Sequence, residues 1–195
     1  MTEEITAVAR AIRDAESTVA FTGAGVSTAS GIPDFRSEGG IWEQYDPSEF
    51  HYRRFRADPA AFWEKRIELY DELYGAGIEP NAAHEALATL EEAGHLETII
   101  TQNVDGLHEA AGSSVLELHG NGQRVACEEC DQTDSLAAAE AQIESGELPP
   151  ACECGGVLKP DTVLFGEQLP TVTLQRAKQQ VRDADVLLAI GSSLS

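Results

Sequence analysis

Lysine is scarce in this chain. Three lysines and ten arginines stand against 34 aspartates and glutamates in 195 residues, a formal net charge of −21 at pH 7. A surface so short of cations repels polyanions, which argues against direct binding to nucleic acid or to an anionic membrane. The composition suits an acidic, high-salt proteome, and the same field attracts basic, lysine-rich polypeptides. Long hydrophobic runs are lacking as well: nothing approaches the ~20 apolar residues of a membrane-spanning helix. The N-terminal stretch MTEEITAVARAIRDAE is acidic and amphipathic, unlike a signal or transit peptide, so a cytoplasmic protein is expected. Internal repeats and low-complexity segments are absent. Cysteine is confined to Cys127, Cys130, Cys152 and Cys154, all within one 28-residue window. Clustered pairs in a cytosolic chain favour a metal over disulfides.

What is present reads as alternating strands and helices. Ile5, Val8, Ala9 and Ile12 share one face of a helix over 3–16. A buried strand is expected at 18–22, then a glycine turn. Residues 31–58 hold Gly39-Gly40, Pro47 and six aromatics, Phe35, Trp42, Tyr45 and Phe50 among them, without periodicity, the look of a functional loop. Asp58-Pro59 caps a helix running to about Tyr74, and Pro80-Asn81 starts another that ends at Gly94. Strands at 96–101, 115–118, 162–165 and 185–190, with helices at 104–111 and 171–183, complete the pattern. Short continuous apolar strands between helices imply an α/β fold, a parallel sheet covered on both faces. The cysteine region, about 120–160, has the composition of a small insertion with little core of its own.

Four thiolates in two local pairs suit tetrahedral zinc, one structural ion with no open position for water. The second pair, Cys152-Glu-Cys154, is one residue tighter than C-x-x-C. Four reduced cysteines without metal are the bland alternative. Gly23-Ala24-Gly25 follows a strand, where glycines let backbone N–H groups approach a phosphate. A dehydrogenase fingerprint would place a third glycine at Thr28 and an acidic ribose ligand at a second strand end. Glu43 has the spacing but lies in the aromatic loop, so the strand-end turn Gly191-Ser192-Ser193 is the candidate for the adenosine end. A tight strand-to-helix turn is the other reading of the glycines. Gln102, Asn103 and Asp105 stand at a strand C-terminus, placed either to orient a nicotinamide ribose or to cap the next helix. His119 also follows a strand and precedes Gly120, the placement of a general base. His51, His84, His95 and His108 lie on helical or loop positions without it.

These motifs together resemble the sirtuins, NAD-dependent protein-lysine deacylases. GAGVS at 23–27, GIPDFR at 31–36, TQNVD at 101–105, His119-Gly120, the cysteine pairs and Val163-Leu164-Phe165-Gly166-Glu167 occur in that family's order over nearly the whole chain. The resemblance implies a Rossmann-like domain from 1–36, 81–119 and 161–195, a helical cofactor-loop segment at 37–80 and a zinc module at 120–160. It implies that NAD is consumed rather than used for hydride transfer. The acyl oxygen of the substrate lysine attacks the ribose as nicotinamide leaves, and the products are nicotinamide and O-acetyl-ADP-ribose. His119 would be the base that activates a ribose hydroxyl after nicotinamide departs. Asp34, Asn103 and Asp105 would hold nicotinamide and its ribose, with Gln102 beside them. Phe35 would exclude water, Gly23, Ala24, Gly25, Ser27 and Arg36 would hold phosphate, and Ser192 and Ser193 would contact ribose or phosphate. Val163, Phe165, Gly166 and Glu167 would pair with a substrate peptide by strand addition. A monomer is expected.

Two departures from the family pattern stand out. Trp63 replaces the tyrosine that, with an arginine at Arg66, selects acidic acyl groups, so a succinyl or malonyl preference is in doubt; an ordinary helix face is the alternative. Sirtuins also normally continue past the Gly-Ser-Ser turn, so a truncated chain with a partial adenosine site is expected. Retained binding without catalysis is the alternative function. An oxidoreductase is disfavoured by Thr28 and by the loop Pro33-Asp34-Phe35-Arg36.

Overall fold

Local signals place most of the elements. In the computed structural model, which describes residues 2–35, 37–73 and 77–193, helix α1 covers Glu3–Asp14 and strand β1 Thr18–Thr22. Short helices α2 (Ile41–Gln44) and α3 (Tyr52–Ala57) precede the long α4 (Pro59–Leu73). Then follow α5 (Ala82–Glu92), β2 (Thr98–Thr101), α6 (Leu107–Ala110), β3 (Val115–Glu117) and β4 (Gly120–Cys127). The chain continues through β5 (Thr133–Ser135), α7 (Leu136–Glu144), β6 (Leu158–Thr162), α8 (Thr171–Asp183) and β7 (Val186–Ile190). Asp58 caps α4 by accepting from the Ala61 N–H at 3.0 Å, with Pro59 in the first turn. Asn81 and His84 form a reciprocal capping box at the start of α5.

The strands β3-β2-β1-β7, in that order, make a parallel sheet. Helix α8 sets Leu174 and Ala177 against Val19, Phe21 and Ile100 on one face. Helix α5 sets Leu87 and Leu90 against Ala20 and Ile99 on the other. Burial on both faces explains the unbroken apolar runs in β1 and β2. Chain order reverses between β1 and β7, and the crevice outside their C-terminal ends is the usual ligand site of such a sheet.

The second core joins the helical segment to the cysteine module. Phe50, Phe55, Phe62 and Trp63 share one buried cluster with Val125, Cys127, Leu136 and Leu158. A module with little core of its own thus borrows one from α3 and α4. Its three strands run β5-β4-β6, antiparallel.

Three expectations need correction. The strand foreseen at 162–165 lies earlier, at Leu158–Thr162, and joins the antiparallel sheet. The Phe165 backbone pairs with Phe50 and Tyr52 instead, at 3.2 and 2.9 Å. The helix foreseen at 104–111 starts only at Leu107, because Gly106 takes φ 75° and Asp105 caps the Leu107 N–H. The apolar stripe of α1 is not covered: Ile5 and Val8 are 54% and 51% exposed. Beside these, residues 31–58 contain α2, α3 and a 3-10 turn at Pro47–Phe50. No described helix is long and apolar enough to cross a membrane.

Candidate functional site

The two glycine turns meet at the switch point. Gly23 N–H donates to the Ile190 carbonyl at 3.0 Å, and Gly25 N–H to the Gly191 carbonyl at 2.9 Å. A Cβ on Gly191, at φ 63°, would stand 2.1 Å from the Val26 nitrogen, so only glycine fits there. Two 3-10 turns, Ala24–Val26 and Thr28–Ser30, replace the long helix of a dehydrogenase fingerprint. Thr28, standing at the third glycine position, spends its hydroxyl on the Gly25 carbonyl at 3.0 Å. Asn81 ties this loop down through the Val26 carbonyl and Ser30.

A buried polar chain lies under the loop. Ser27 Oγ donates to Asp105 Oδ2 at 2.7 Å, and Asn103 Nδ2 donates to Ser27 Oγ at 3.1 Å and to the Gly23 carbonyl at 3.3 Å. Ser27, Asn103 and Asp105 are all buried. Of the two readings of Asp105 the helix cap is seen directly: Oδ1 accepts from the Leu107 N–H, while Oδ2 accepts from Ser27. Gln102 Nε2 reaches Ser192 Oγ at 3.2 Å. His119 Nδ1 lies 2.8 Å from the Gln102 carbonyl. A carbonyl only accepts, so Nδ1 carries the proton and Nε2 is left as the basic nitrogen. Residues from β1, β2, β3 and β7 ends thereby converge, as the sequence motifs require.

Sequence reasoning missed two residues here. His84 and His108, set aside as unplaced, are fully buried, with ring centroids 4.8 Å apart. His108 Nε2 lies 3.0 Å from Thr22 Oγ1, which donates in turn to Thr101 Oγ1 at 2.9 Å. Burial, with the neighbouring His84 second, pushes His108 down to about 4, and burial lowers His84 too. Two neutral imidazoles therefore underlie the Ser27–Asp105 pair. The only early sign was that both fall within a few residues of Asn81 and Asp105.

The aromatic loop and the 163–167 segment face each other through Trp42. Its ring lies 5.2 Å from Phe35 and 5.6 Å from Phe165, both partly exposed. Asp34 folds its own loop, accepting from the Ser37 N–H at 2.7 Å and Ser37 Oγ at 2.6 Å. Arg36 lies outside the described residues. Glu167 turns inward rather than toward a ligand: its Oε2 accepts from the Leu164 N–H at 2.7 Å and Lys159 Nζ at 3.2 Å. Val163 N–H donates to the His119 carbonyl at 2.9 Å. Gly166, at φ 87°, packs on the His51 ring. Trp63 is a core residue, 0% exposed, and its indole N–H is taken by the Leu158 carbonyl at 2.9 Å. Nothing of it is left to line an acyl pocket. The buried Arg66 guanidinium lies 4.7 Å from the Tyr70 ring centroid.

The four cysteine sulfurs lie within 4.8 Å of one another. Cys127–Cys154 and Cys130–Cys152 are 3.5 and 3.7 Å apart. Zinc–sulfur bonds of ~2.3 Å place tetrahedral sulfurs ~3.8 Å apart, so the set fits zinc. Amides of Glu129 and Gly156 each donate to a sulfur at 3.4 Å. The Glu129 amide leads the groups that lower the Cys127 thiol to about 7. A Cβ on Gly156 would lie 2.6 Å from Cys127 Sγ, so a side chain there would crowd the sulfur set.

A switch-point crevice built from glycine turns, a strand-end imidazole and a four-thiolate module define a nucleotide-binding α/β protein with a structural metal site. The chain belongs to the Sir2 family, whose model matches residues 23–195. An NAD-dependent protein deacetylase of Haloarcula marismortui, a halophile, is 57% identical over 99% of this chain and 75% of its own length. An NAD-dependent protein deacetylase of Sulfolobus acidocaldarius is 46% identical, covering 100% and 76%. A solved complex of Sir2 with a p53 peptide and NAD+ superposes with TM-score 0.84 at 35% identity, over 100% of this chain and 77% of that one.

Proposed function

We propose that this chain removes acetyl groups from protein lysine side chains and consumes NAD, with nicotinamide and O-acetyl-ADP-ribose as products. One observation carries the reading: His119 Nδ1–H is fixed on the Gln102 carbonyl, and the same residue's amide reaches Ser192 across the crevice. The free Nε2 is thereby held at the strand end, where a ribose hydroxyl proton must be taken up. Asn103 and Asp105, steadied by Ser27, orient the nicotinamide ribose. The amides of Gly23, Ala24 and Gly25 take phosphate, with Arg36 beside them, while Gly191, Ser192 and Ser193 serve the adenosine half. Asp34 braces the loop that carries Phe35, and Phe35 excludes water from the reacting carbon.

The peptide lies along 163–167. The backbone groups of Leu164 and Phe165 and the Val163 N–H are engaged within the chain, so strand addition draws on the Val163 carbonyl and on Gly166. Glu167 acts by bracing that turn. Zinc would be held by Cys127, Cys130, Cys152 and Cys154, where it supplies folding energy; four thiolates fill its shell, so proton transfer is left to His119. The burial of Trp63 favours acetyl over succinyl or malonyl groups, and the inward placement of Arg66 agrees. We place the protein in the cytoplasm as a monomer without direct nucleic-acid contacts, on its charge.

The test is nicotinamide release from NAD at high and low salt, with acetyl-lysine and succinyl-lysine peptides supplied separately. Release with the acetyl peptide, and product formation reduced about 10²–10⁴-fold in His119→Ala, is expected. A faster succinyl reaction overturns the acyl assignment. Binding of NAD without turnover favours the second reading, a nucleotide-binding protein without activity.

A further inference from the structure

His119 stands in the two-residue link between β3 of the parallel sheet and β4 of the antiparallel one. Its direction therefore depends on how the two sheets meet. The Leu118 and Gly122 amides bond the Thr101 and Val104 carbonyls at 2.9 and 2.7 Å, but the ladder between β4 and β6 is interrupted at that junction. Strand β4 pairs with β6 at Gly120↔Thr162 and resumes only at Val125↔Pro160, with a register break between. Residues 121–124 thus cross the junction outside the ladder to β6.

Arg124 spans the break with its side chain. Nε donates to Asp161 Oδ2 on β6 at 2.9 Å, while Nη2 and Nη1 donate to Glu117 Oε2 and Oε1 on β3 at 2.5 and 3.4 Å. Both carboxylates belong to strands that hold His119. Glu117 lies two residues before it and is paired in register with Thr101. Asp161 lies two residues before Val163, whose N–H bonds the His119 carbonyl at 2.9 Å. Asn121 Nδ2 adds a bond to Glu117 at 2.6 Å. The strands touch at this point: a Cβ on Gly120 would lie 2.0 Å from the Asp161 carbonyl oxygen.

We propose that Arg124 is a positioning residue for His119, its guanidinium tying Glu117 to Asp161 across the irregular junction and so fixing the imidazole at the strand end. The inference rests on His119 being the base. A planar fork can hold two carboxylates in fixed directions at once, whereas a lysine is a point charge on a flexible stem. Without the cation, Glu117 keeps only Asn121 and the neighbouring Glu109 carboxyl as partners, and its charge and that of Asp161 repel across the link.

The experiment compares two readouts on zinc-loaded protein with an acetylated peptide. Exchange of labelled nicotinamide into NAD reports the step before the base acts; formation of deacetylated peptide requires the base. Arg124→Gln should exchange nicotinamide within about twofold of wild type yet form deacetylated peptide at least about tenfold more slowly, since a misplacement of about 1 Å can cost up to a hundredfold. Arg124→Lys should fall between the two. If both steps slow alike in Arg124→Gln, or neither slows, the positioning role is overturned. Should Arg124→Gln lose zinc, the Arg124→Lys ratio of exchange to deacetylation decides: a rise of about threefold or more supports the role, and an unchanged ratio overturns it. His119→Ala is run beside them. If it deacetylates at the wild-type rate, the failure lies in the assignment of the base, and Arg124 has nothing to position.

Discussion

Acidification from pH 7 to 4 should cost this fold about 3 kcal/mol through His108 alone. The ring is 1% exposed. Its Nε2–H donates to Thr22 Oγ1 at 3.0 Å, since the Thr22 hydroxyl proton goes to Thr101. The unprotonated Nδ1 is buried without a hydrogen-bond partner, so a second proton would enter a site with no acceptor. Burial first, then His84, lowers the pKa from 6.5 to about 4, against an opposing pull from Asp105. A folded-state pKa below the unfolded value means that the unfolded chain binds the proton first. The stabilisation is thus complete above pH 6.5 and is lost as the pH falls toward 4. The shift from 6.5 to about 4, at ~1.36 kcal/mol per unit, gives about 3 kcal/mol, and His84 adds in the same direction. Urea unfolding of wild type and His108→Asn at pH 7, 6, 5 and 4, at constant salt, isolates the effect, because the carboxylates titrate in both proteins. The stability advantage of wild type over His108→Asn should shrink by about 3 kcal/mol by pH 4. Parallel curves would refute the reasoning and show that His108 keeps an ordinary affinity for its proton in the folded state.

Removing zinc with a chelator should unfold the α3–α4 helices along with the cysteine module, because Cys127 and Trp63 share one core against which Trp42 also packs; a red shift of the tryptophan emission with the parallel sheet retained by circular dichroism checks it. Trp63→Ala should cost about 3–5 kcal/mol in urea unfolding, and Trp63→Tyr should leave acyl preference unchanged, because the position has no access to substrate. Gly191→Ala, at φ 63° and with its Cβ 2.1 Å from the Val26 nitrogen, should destroy NAD affinity measured by calorimetry while peptide affinity changes less.

The sequence was legible where chemistry and local geometry coincide. Glycine turns after strands, Asn81 and Asp58 at helix starts and the paired cysteines each announce a structure made within a few residues. The four strands of the parallel sheet were visible because burial on both faces leaves continuous apolar runs, whereas β4 and β5 of the cysteine module, with polar and exposed positions, gave no such run. The strand near 162 was misplaced because Val163, Leu164 and Phe165 are as apolar as a sheet strand; only the pairing of Phe165 with Phe50 and Tyr52, more than a hundred residues earlier in the chain, draws them out of the ladder. His84 and His108 were passed over because a helical histidine has no local signature of burial. Glu167 was read as a substrate residue because nothing local shows that Lys159 and the Leu164 amide already hold it.

Residue types and short spacings were therefore enough to specify the α/β class, the paired glycine turns at the strand ends, the thiolate site and the identity of the candidate base. Those features depend on backbone freedom, on ligand chemistry and on hydrophobic period, all of which are written within a few residues. Which way a side chain faces depends on contacts between segments distant in the chain. Trp63 became core rather than pocket because Leu158 meets it, the Asp105 carboxylate divided its oxygens between a helix cap and Ser27, and His119 received its tautomer from the Gln102 carbonyl. Such partners are brought together only when the sheets close on each other, and that closure sets the tautomer and the direction of the candidate site's side chains.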